Sequence, residues 1–292
     1  MSIDVLQHRI RKLKNPSVVD FNVLPEHIPP QLLSASGSIT QAYELFVRQL
    51  LDALKTAVPA VRFSIGHFVN LGLDGCFLLS QLLHHAKECG YYIFLDIPDP
   101  RSLMDAQISA KNLLDGNSNL CFDALILSAY IGSDAIKPFV EIMPNNDKDV
   151  FILVRTSNRS AQELQDLLSG SRLVHMAMAD VVNRFCEPMV EKCGYSRIAS
   201  VASASSADSL RNLRSKYKSM FLLLDGYDCP NANAKNCSFG FDKFGHGAIA
   251  CAGLSVTAAW QQWPEGPEEY ITAAIEAAER MKRNLLRYIA IL

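Results

Sequence analysis

Short runs of β-branched, aliphatic and aromatic residues recur along the chain, and each is followed by a stretch whose apolar positions return every three to four residues. The runs are Ser17-Val-Val-Asp-Phe-Asn22, Ala60-Val-Arg-Phe-Ser-Ile65, Tyr91-Tyr-Ile-Phe-Leu-Asp-Ile97, Asp123-Ala-Leu-Ile-Leu-Ser128, Asp149-Val-Phe-Ile-Leu-Val-Arg-Thr156, Arg197-Ile-Ala-Ser-Val-Ala202, Ser219-Met-Phe-Leu-Leu-Leu-Asp225 and Gly247-Ala-Ile-Ala-Cys-Ala252. The amphipathic stretches are 40–58, 74–89, 104–114, 133–142, 161–168, 172–193, 207–217 and 268–288. Near-continuous apolar runs suit strands covered on both faces, so the pattern predicts parallel strands joined by crossover helices. Eight of each predict a single α/β domain over residues 1–292, a (β/α)8 TIM barrel in preference to an open doubly wound sheet. Gly90 and Gly170 are expected to end their helices in the left-handed conformation, and Ser160 to cap the helix after it. Two segments break the rhythm, 23–38 and 226–244. In a barrel both lie at the C-terminal rim, where such folds keep their chemistry, and the third strand delivers Asp96 to that rim.

Composition narrows the class. Apolar residues make up 49% of the 292-residue chain and charged residues 20%, enough for a large core and not the balance of a disordered chain. The net charge is −2 and no basic block is longer than Arg9-Ile-Arg-Lys-Leu-Lys14, which argues against nucleic acid or an anionic membrane as partner. That run reads as the solvated face of a first helix. The opening Met1-Ser-Ile-Asp-Val5 carries an acid where a leader is basic and then apolar, and no apolar stretch reaches the ~20 residues a bilayer needs, so a cytoplasmic protein is expected. Eight scattered cysteines lack the density of a disulfide scaffold, and reduced thiols are expected. Their tightest grouping, Cys229, Cys237, His246 and Cys251, contains no C-x-x-C pair, so neither a metal nor a cofactor is expected there.

Several phrases carry a family resemblance. Lys14-Asn-Pro-Ser-Val-Val19 with Leu24-Pro-Glu-His-Ile-Pro29, Asp123-Ala-Leu-Ile-Leu-Ser-Ala-Tyr-Ile-Gly-Ser-Asp134 with Lys137-Pro-Phe139, and above all Val150-Phe-Ile-Leu-Val-Arg-Thr-Ser-Asn158 resemble the longer bacterial form of orotidine 5′-phosphate decarboxylase. The resemblance runs over nearly the whole chain. It implies a barrel, a homodimer with its active sites at the two-fold interface, and a carboxy-lyase that converts orotidine 5′-phosphate to UMP in pyrimidine biosynthesis without metal or organic cofactor. It also implies a Lys-Asp-Lys-Asp charge network, an electrostatic device of the kind that supplies most enzymatic rate enhancement.

This chain departs from the family at that network. The Lys-Pro-Gln phrase ending the family's second strand is matched by Arg62, Phe63 and Ser64. The third strand's Asp-Ala-Lys-Arg-Gly-Asp-Ile is matched by Asp96-Ile-Pro-Asp-Pro-Arg-Ser102, which keeps Asp96, puts Pro98 at the proton-donating lysine and Arg101 at the second aspartate. A shifted register aligning Asp96-Ile-Pro98 with shorter family members puts Ile93 at the lysine, and neither alignment restores a proton donor. Ribose-holding Leu-Asp-Pro becomes Phe21-Asn22-Val23. The phosphate loop becomes Asp225-Gly-Tyr-Asp-Cys-Pro-Asn231, and the final Ser-Ser-Arg-Gly becomes Ala252-Gly-Leu-Ser255, with Leu254 at the arginine. Ser157 matches the serine that contacts the pyrimidine ring.

Candidate catalytic positions are therefore Asp96, as a remnant, with Arg62 and Arg101; candidate ligand positions are Asn22, Ser157, Asp225 and Asp228, for a small or nucleotide-like molecule. Asp96 reads equally as a rim acid paired with Arg62 or Arg101, and Asp225 and Asp228 as solvated rim acids. Asp225 and Asp228 together invite a cation, but two carboxylates without further oxygen ligands make only a weak calcium or magnesium case. Ser157 lacks a Gly-x-Ser-x-Gly elbow and reads as a hydroxyl closing a turn or contacting a ligand, and His67 is the histidine nearest the rim. Loss of the charge constellation and the phosphate handle together predicts a catalytically silent relative with a structural, regulatory or altered-ligand role. The alternative is an active divergent decarboxylase or a repurposed small-molecule enzyme. In a dimer, Arg101 would cross to the partner and pair with its Asp96.

Overall fold

The computed structural model describes residues 2–116 and 118–291; Met1, Asn117 and Leu292, within the predicted span, lie outside the described residues. Eight parallel strands close into a barrel: β1 (Ser17–Asp20), β2 (Ala60–Ser64), β3 (Tyr92–Asp96), β4 (Ala124–Ser128), β5 (Asp149–Leu153), β6 (Ile198–Ser203), β7 (Leu222–Asp225) and β8 (Ala248–Ala252), with β8 pairing β1. All eight predicted strands form, each within a few residues of its expected bounds. The apolar runs are buried on both faces, as in β4 and β8, where every residue is buried.

Register sorts the strand residues into two faces. Val18, Ala60, Tyr92 and Asp149 share a face near the start of their strands, while Asp20, Arg62, Asp96 and Asp225 share it at the end. Between these levels, Phe94, Phe151 and Phe221 meet edge to face with ring centroids 5.0 and 6.0 Å apart. Aromatic pairs of this geometry are worth ~0.5–1.5 kcal/mol each beyond their area burial. The barrel is thus packed through its middle and polar at its mouth.

The helices cover the outside for reasons visible in their spacing. The helix Ile39–Leu54 buries Ala42, Tyr43, Phe46, Val47, Leu50, Leu51 and Leu54, an i, i+3, i+4, i+7 stripe, and Ser38 caps it by accepting from the Gln41 N–H. The basic run Arg9–Lys14 belongs to or follows the helix Ser2–Leu13, which closes the barrel's N-terminal end: the Gln7 side chain accepts from the Gly247 N–H, and the Ser2 hydroxyl donates to the Asp123 carbonyl. Gly90 has φ +86° and turns the chain from the helix Gly72–Glu88 into β3, as predicted.

Three local expectations are corrected. The helix predicted over 161–168 is a single turn, Ala161–Leu164, and the side chain of Ser160 makes no capping hydrogen bond to it. The stretch predicted as helix from Arg172 begins at Val174, because Leu168–Ser169 and Arg172–Leu173 pair as a two-stranded antiparallel hairpin. Gly170 is left-handed, φ +65°, but it serves that hairpin's two-residue turn and ends no helix. Among the described residues no helix is long and apolar enough to cross a membrane.

Candidate functional site

Three barrel strands end on an acid, β1 on Asp20, β3 on Asp96 and β7 on Asp225, and β2 places Arg62 among them. The guanidinium donates from Nη2 to Asp96 Oδ2 at 2.5 Å and from Nη1 to Asp225 Oδ1 at 2.7 Å, with Asp20 Oδ2 3.6 Å from Nη1. Its side chain is only 13% exposed, against 19–29% for the three acids. Among the described residues no other cation lies within ion-pair distance of these carboxylates.

One guanidinium faces three carboxylates in a half-dry space, and the charges respond. Burial alone would lower the Arg62 pKa, but Asp20, Asp225 and Asp96 outweigh it and hold it well above the ordinary value. Burial pushes the Asp20 carboxyl up to about 6 against the pull of Arg62, with Asp225 and Asp96 adding to the rise. Asp96 is raised by burial too, with Arg62 again opposing. The Cys251 thiol beneath is held well above its ordinary value by burial and then by Asp20.

Above this cluster lies a cleft of about 230 Å³ lined by Asp20, Asn22, Asp225, Gly226, Asp228, Cys251, Gly253 and Leu254. Asn22 turns its Oδ1 onto the Ser64 N–H at 3.1 Å and so ties the end of β1 to β2. The Ser157 hydroxyl donates to the Asp225 carbonyl at 2.6 Å. It packs there so closely that a Cβ on Gly226, φ +78°, would lie 2.4 Å from it, which requires glycine at that turn. Asp228 Oδ2 accepts from the N–H groups of Gly253, at 2.7 Å, and Ser255, at 3.2 Å. Backbone N–H groups of this kind attract anions, and here a carboxylate of the chain's own takes them.

The structure therefore gathers Arg62, Asp96, Asp225, Asp228 and Asn22, and settles Asp96 on Arg62. Arg101 is exposed and makes no ion pair with Asp96; its backbone N–H donates to Asp105. The reading of Asp225 and Asp228 as merely solvated acids is corrected, because one pairs with Arg62 and the other binds backbone N–H groups. His67 packs on Tyr43 and Phe68, with burial lowering its pKa. Asp20 was not among the predicted positions. The signal that singled out Asp96, an acid ending a strand, was present in Ser17-Val-Val-Asp20 as well.

Over 287 residues the chain is 25% identical to an orotidine 5′-phosphate decarboxylase of Clostridium novyi, covering 98% of both chains. It is 24% identical to that of Petrotoga mobilis over 287 residues, again 98% of both. Over nearly its whole length the chain is thus similar to the orotidine 5′-phosphate decarboxylases. No family model matches it. Solved structures agree on the barrel: the Plasmodium berghei orotidine 5′-monophosphate decarboxylase superposes with a TM-score of 0.77 at 12% identity, covering 97% of this chain and 98% of that one. The Leishmania donovani OMP decarboxylase gives 0.70 at 18% identity, with 97% and 98% covered. Pro98 and Arg101 both lie exposed just beyond the end of β3.

Proposed function

We propose that this chain is a member of the orotidine 5′-phosphate decarboxylase family that no longer decarboxylates and that its rim cleft serves an altered ligand or a regulatory role. The observation carrying this reading is Arg62. Among the described residues it is the one cation within ion-pair distance of the three rim carboxylates, so no ammonium stands there to protonate a carbanion, and a guanidinium held well above its ordinary pKa does not give up its proton at physiological pH. Groups that transfer a proton or hold developing charge are worth roughly 10²–10⁴ in rate each, so their joint loss removes most of the acceleration. The cleft is also poorly suited to a phosphate dianion. Asp20, Asp225 and Asp228 line it, and Asp228 occupies the N–H groups of Gly253 and Ser255.

Protein purified from a host lacking its own decarboxylase is expected to release no UMP from orotidine 5′-phosphate above the uncatalysed rate. UMP should leave the melting temperature unchanged, although a ligand at 100 times its Kd stabilises a fold by about 2.7 kcal/mol. Turnover in that preparation would overturn the reading.

A second reading, an active enzyme, is favoured by two observations: similarity to named decarboxylases over 98% of the chain, and Asp20, a cleft carboxyl brought to about 6 and so able to carry a proton near neutrality. Growth of a uracil-requiring strain complemented by this chain would select the decarboxylase form. A cytoplasmic setting fits both readings, with eight free cysteines.

Dimerisation belongs to the same proposal. Val69, Leu73 and Phe77 after β2, Leu103, Met104 and Ile108 after β3, and Ile131 after β4 are all exposed, with Leu73 and Phe77 at 79% and 72%. Such a concentration of apolar surface suits a second copy of the chain. Arg101, exposed beside Leu103, would cross to the partner's acids. Arg101→Glu is expected to weaken the dimer about tenfold or more by sedimentation equilibrium, the cost of like charge at an interface. An unchanged dissociation constant would remove Arg101 from it.

A further inference from the structure

At the opposite end of the barrel from the rim cleft, three side chains of different chemistry converge. His85 and Cys89 stand four residues apart, one turn along the same helical face, at the end of the helix Gly72–Glu88. Asp52 lies in the last turn of the helix Ile39–Leu54 that packs beside it. The same three atoms face one another throughout: His85 Nε2 to Asp52 Oδ1 is 3.3 Å, Cys89 Sγ to Asp52 Oδ1 is 3.5 Å, and Cys89 Sγ to His85 Nε2 is 3.7 Å. Among the described residues this is the one group of three such side chains with its ligand atoms within 4.8 Å of one another.

The His85–Asp52 contact is just beyond the ~2.7–3.2 Å of a good N–H···O hydrogen bond, and the two sulfur contacts are ordinary thiol hydrogen-bond distances. All three are also the spacings of a coordination shell. Zinc holds sulfur at ~2.3 Å and imidazole nitrogen or carboxylate oxygen at ~2.0–2.2 Å, so the edges of its tetrahedron are about 3.3–3.6 Å long. The triangle of Oδ1, Nε2 and Sγ is one face of that tetrahedron already in place. The donor set also selects the ion. A thiolate, an imidazole and one carboxylate suit a borderline-soft cation, whereas calcium and magnesium require oxygen ligands.

The surroundings permit entry. The Asp52 side chain is 52% exposed, and an open cleft of about 340 Å³ lined by Arg48, Ser80, Gln81, His84, His85 and Glu88 reaches His85. The competing cation is Lys55, whose Nζ sits 3.8 Å from Asp52 Oδ1 in a half-exposed ion pair of little energy.

We propose that Asp52, His85 and Cys89 form a zinc site that clamps the helices after β1 and β2 together, with water as the fourth ligand. On binding, the Cys89 thiol releases its proton to solvent as the Sγ–Zn bond forms, and His85 gives Nε2 as the neutral imidazole. The bond braces the chain where Gly90 turns into β3, so the ion sits at the entry of the strand that carries Asp96 to the mouth.

The test uses the full chain stripped with chelator and then titrated with Co²⁺ alone or Zn²⁺ alone. One Co²⁺ per chain is expected, with a thiolate-to-cobalt charge-transfer band and ligand-field bands of tetrahedral intensity. Zn²⁺ should abolish the band and shield Cys89, but not exposed Cys76, from alkylation mapped by mass spectrometry. Cys89→Ser should remove the charge-transfer band. His85→Ala and Asp52→Asn should each weaken Zn²⁺ by more than the ~10–100-fold that loss of an outer-shell partner costs. Circular dichroism of each variant checks that the fold persists. A charge-transfer band of equal intensity in Cys89→Ser, or no metal uptake by the native chain at micromolar concentration, would overturn the site.

Discussion

Arg62→Leu is expected to destabilise the barrel by about 3–5 kcal/mol at pH 7.5, the cost of breaking a buried ionic cluster from one side. The substitution removes the guanidinium that Asp20, Asp96 and Asp225 share and leaves three carboxylates beneath the rim cleft with no counter-charge. The native cluster already carries more negative than positive charge, and Asp20 answers by rising to about 6. Without Arg62 the Asp20 and Asp96 carboxyls rise further, because the pull that lowers them is gone while burial and the repulsion of neighbouring acids remain. A carboxyl raised in the native state keeps its proton where the unfolded chain has lost it, so the penalty grows with pH. Urea denaturation should therefore give a larger loss at pH 8 than at pH 5. Arg62→Lys keeps the charge but not the fork that spans Asp96 and Asp225, and should fall between the two. A loss below about 1 kcal/mol for Arg62→Leu, flat with pH, would mean that the cluster is solvated and that the proposed function has lost its main support.

The same cluster marks how far a one-dimensional reading reaches. Barrel strands are legible because a strand covered on both faces has no polar alternation to blur its ends, and Ala124–Ser128 and Ala248–Ala252 stand out on apolarity alone. The hairpin at 168–173 was misread because Leu164, Leu167 and Leu168 before Gly170, and Val174 and Met178 after it, each keep a helical spacing. The Gly170-Ser171 pair, a two-residue turn signal, outweighs it in the fold. At the site, pairing of Asp96 with Arg62 was one of two alternatives, and adjacency of β2 and β3 decides it. Asp20 is not singled out because the family resemblance matches the ribose-holding position to Asn22, two residues on. The Asp52, His85 and Cys89 group escaped for a different reason. Two of its members share a helix turn, but the third comes from another helix, and no local pattern records which turn of one helix meets which turn of the next.

Asp149→Asn is expected to abolish a fall in stability that the native protein shows between pH 4 and pH 7. Asp149 opens β5 at the closed end of the barrel and is fully buried. The Tyr92 hydroxyl donates to its Oδ2 at 2.6 Å, and Arg197 Nε lies 3.6 Å from its Oδ1. Arg197 does not spend its guanidinium on the acid: Nη2 donates to the carbonyls of Met143, Asn146 and Lys148. Burial consequently dominates over Tyr92, Ser2 and Arg197 and pushes the Asp149 carboxyl up to about 7. An unfolded aspartate loses its proton near pH 3.9, so between about pH 4 and 7 unfolding releases a proton from this residue. Stability then falls by about 1.4 kcal/mol per pH unit across that window, roughly 4 kcal/mol in all, and levels off above it. Asparagine accepts the Tyr92 hydrogen bond and has no proton to lose. The variant's stability relative to the native chain should therefore climb with pH from 4 to 7 and stay level to pH 8, a difference that cancels the titration of every group the two proteins share. If Arg197 instead kept Asp149 ionised throughout, the variant would be destabilised by the same amount at each pH, and a flat difference in denaturation free energy would decide for that arrangement.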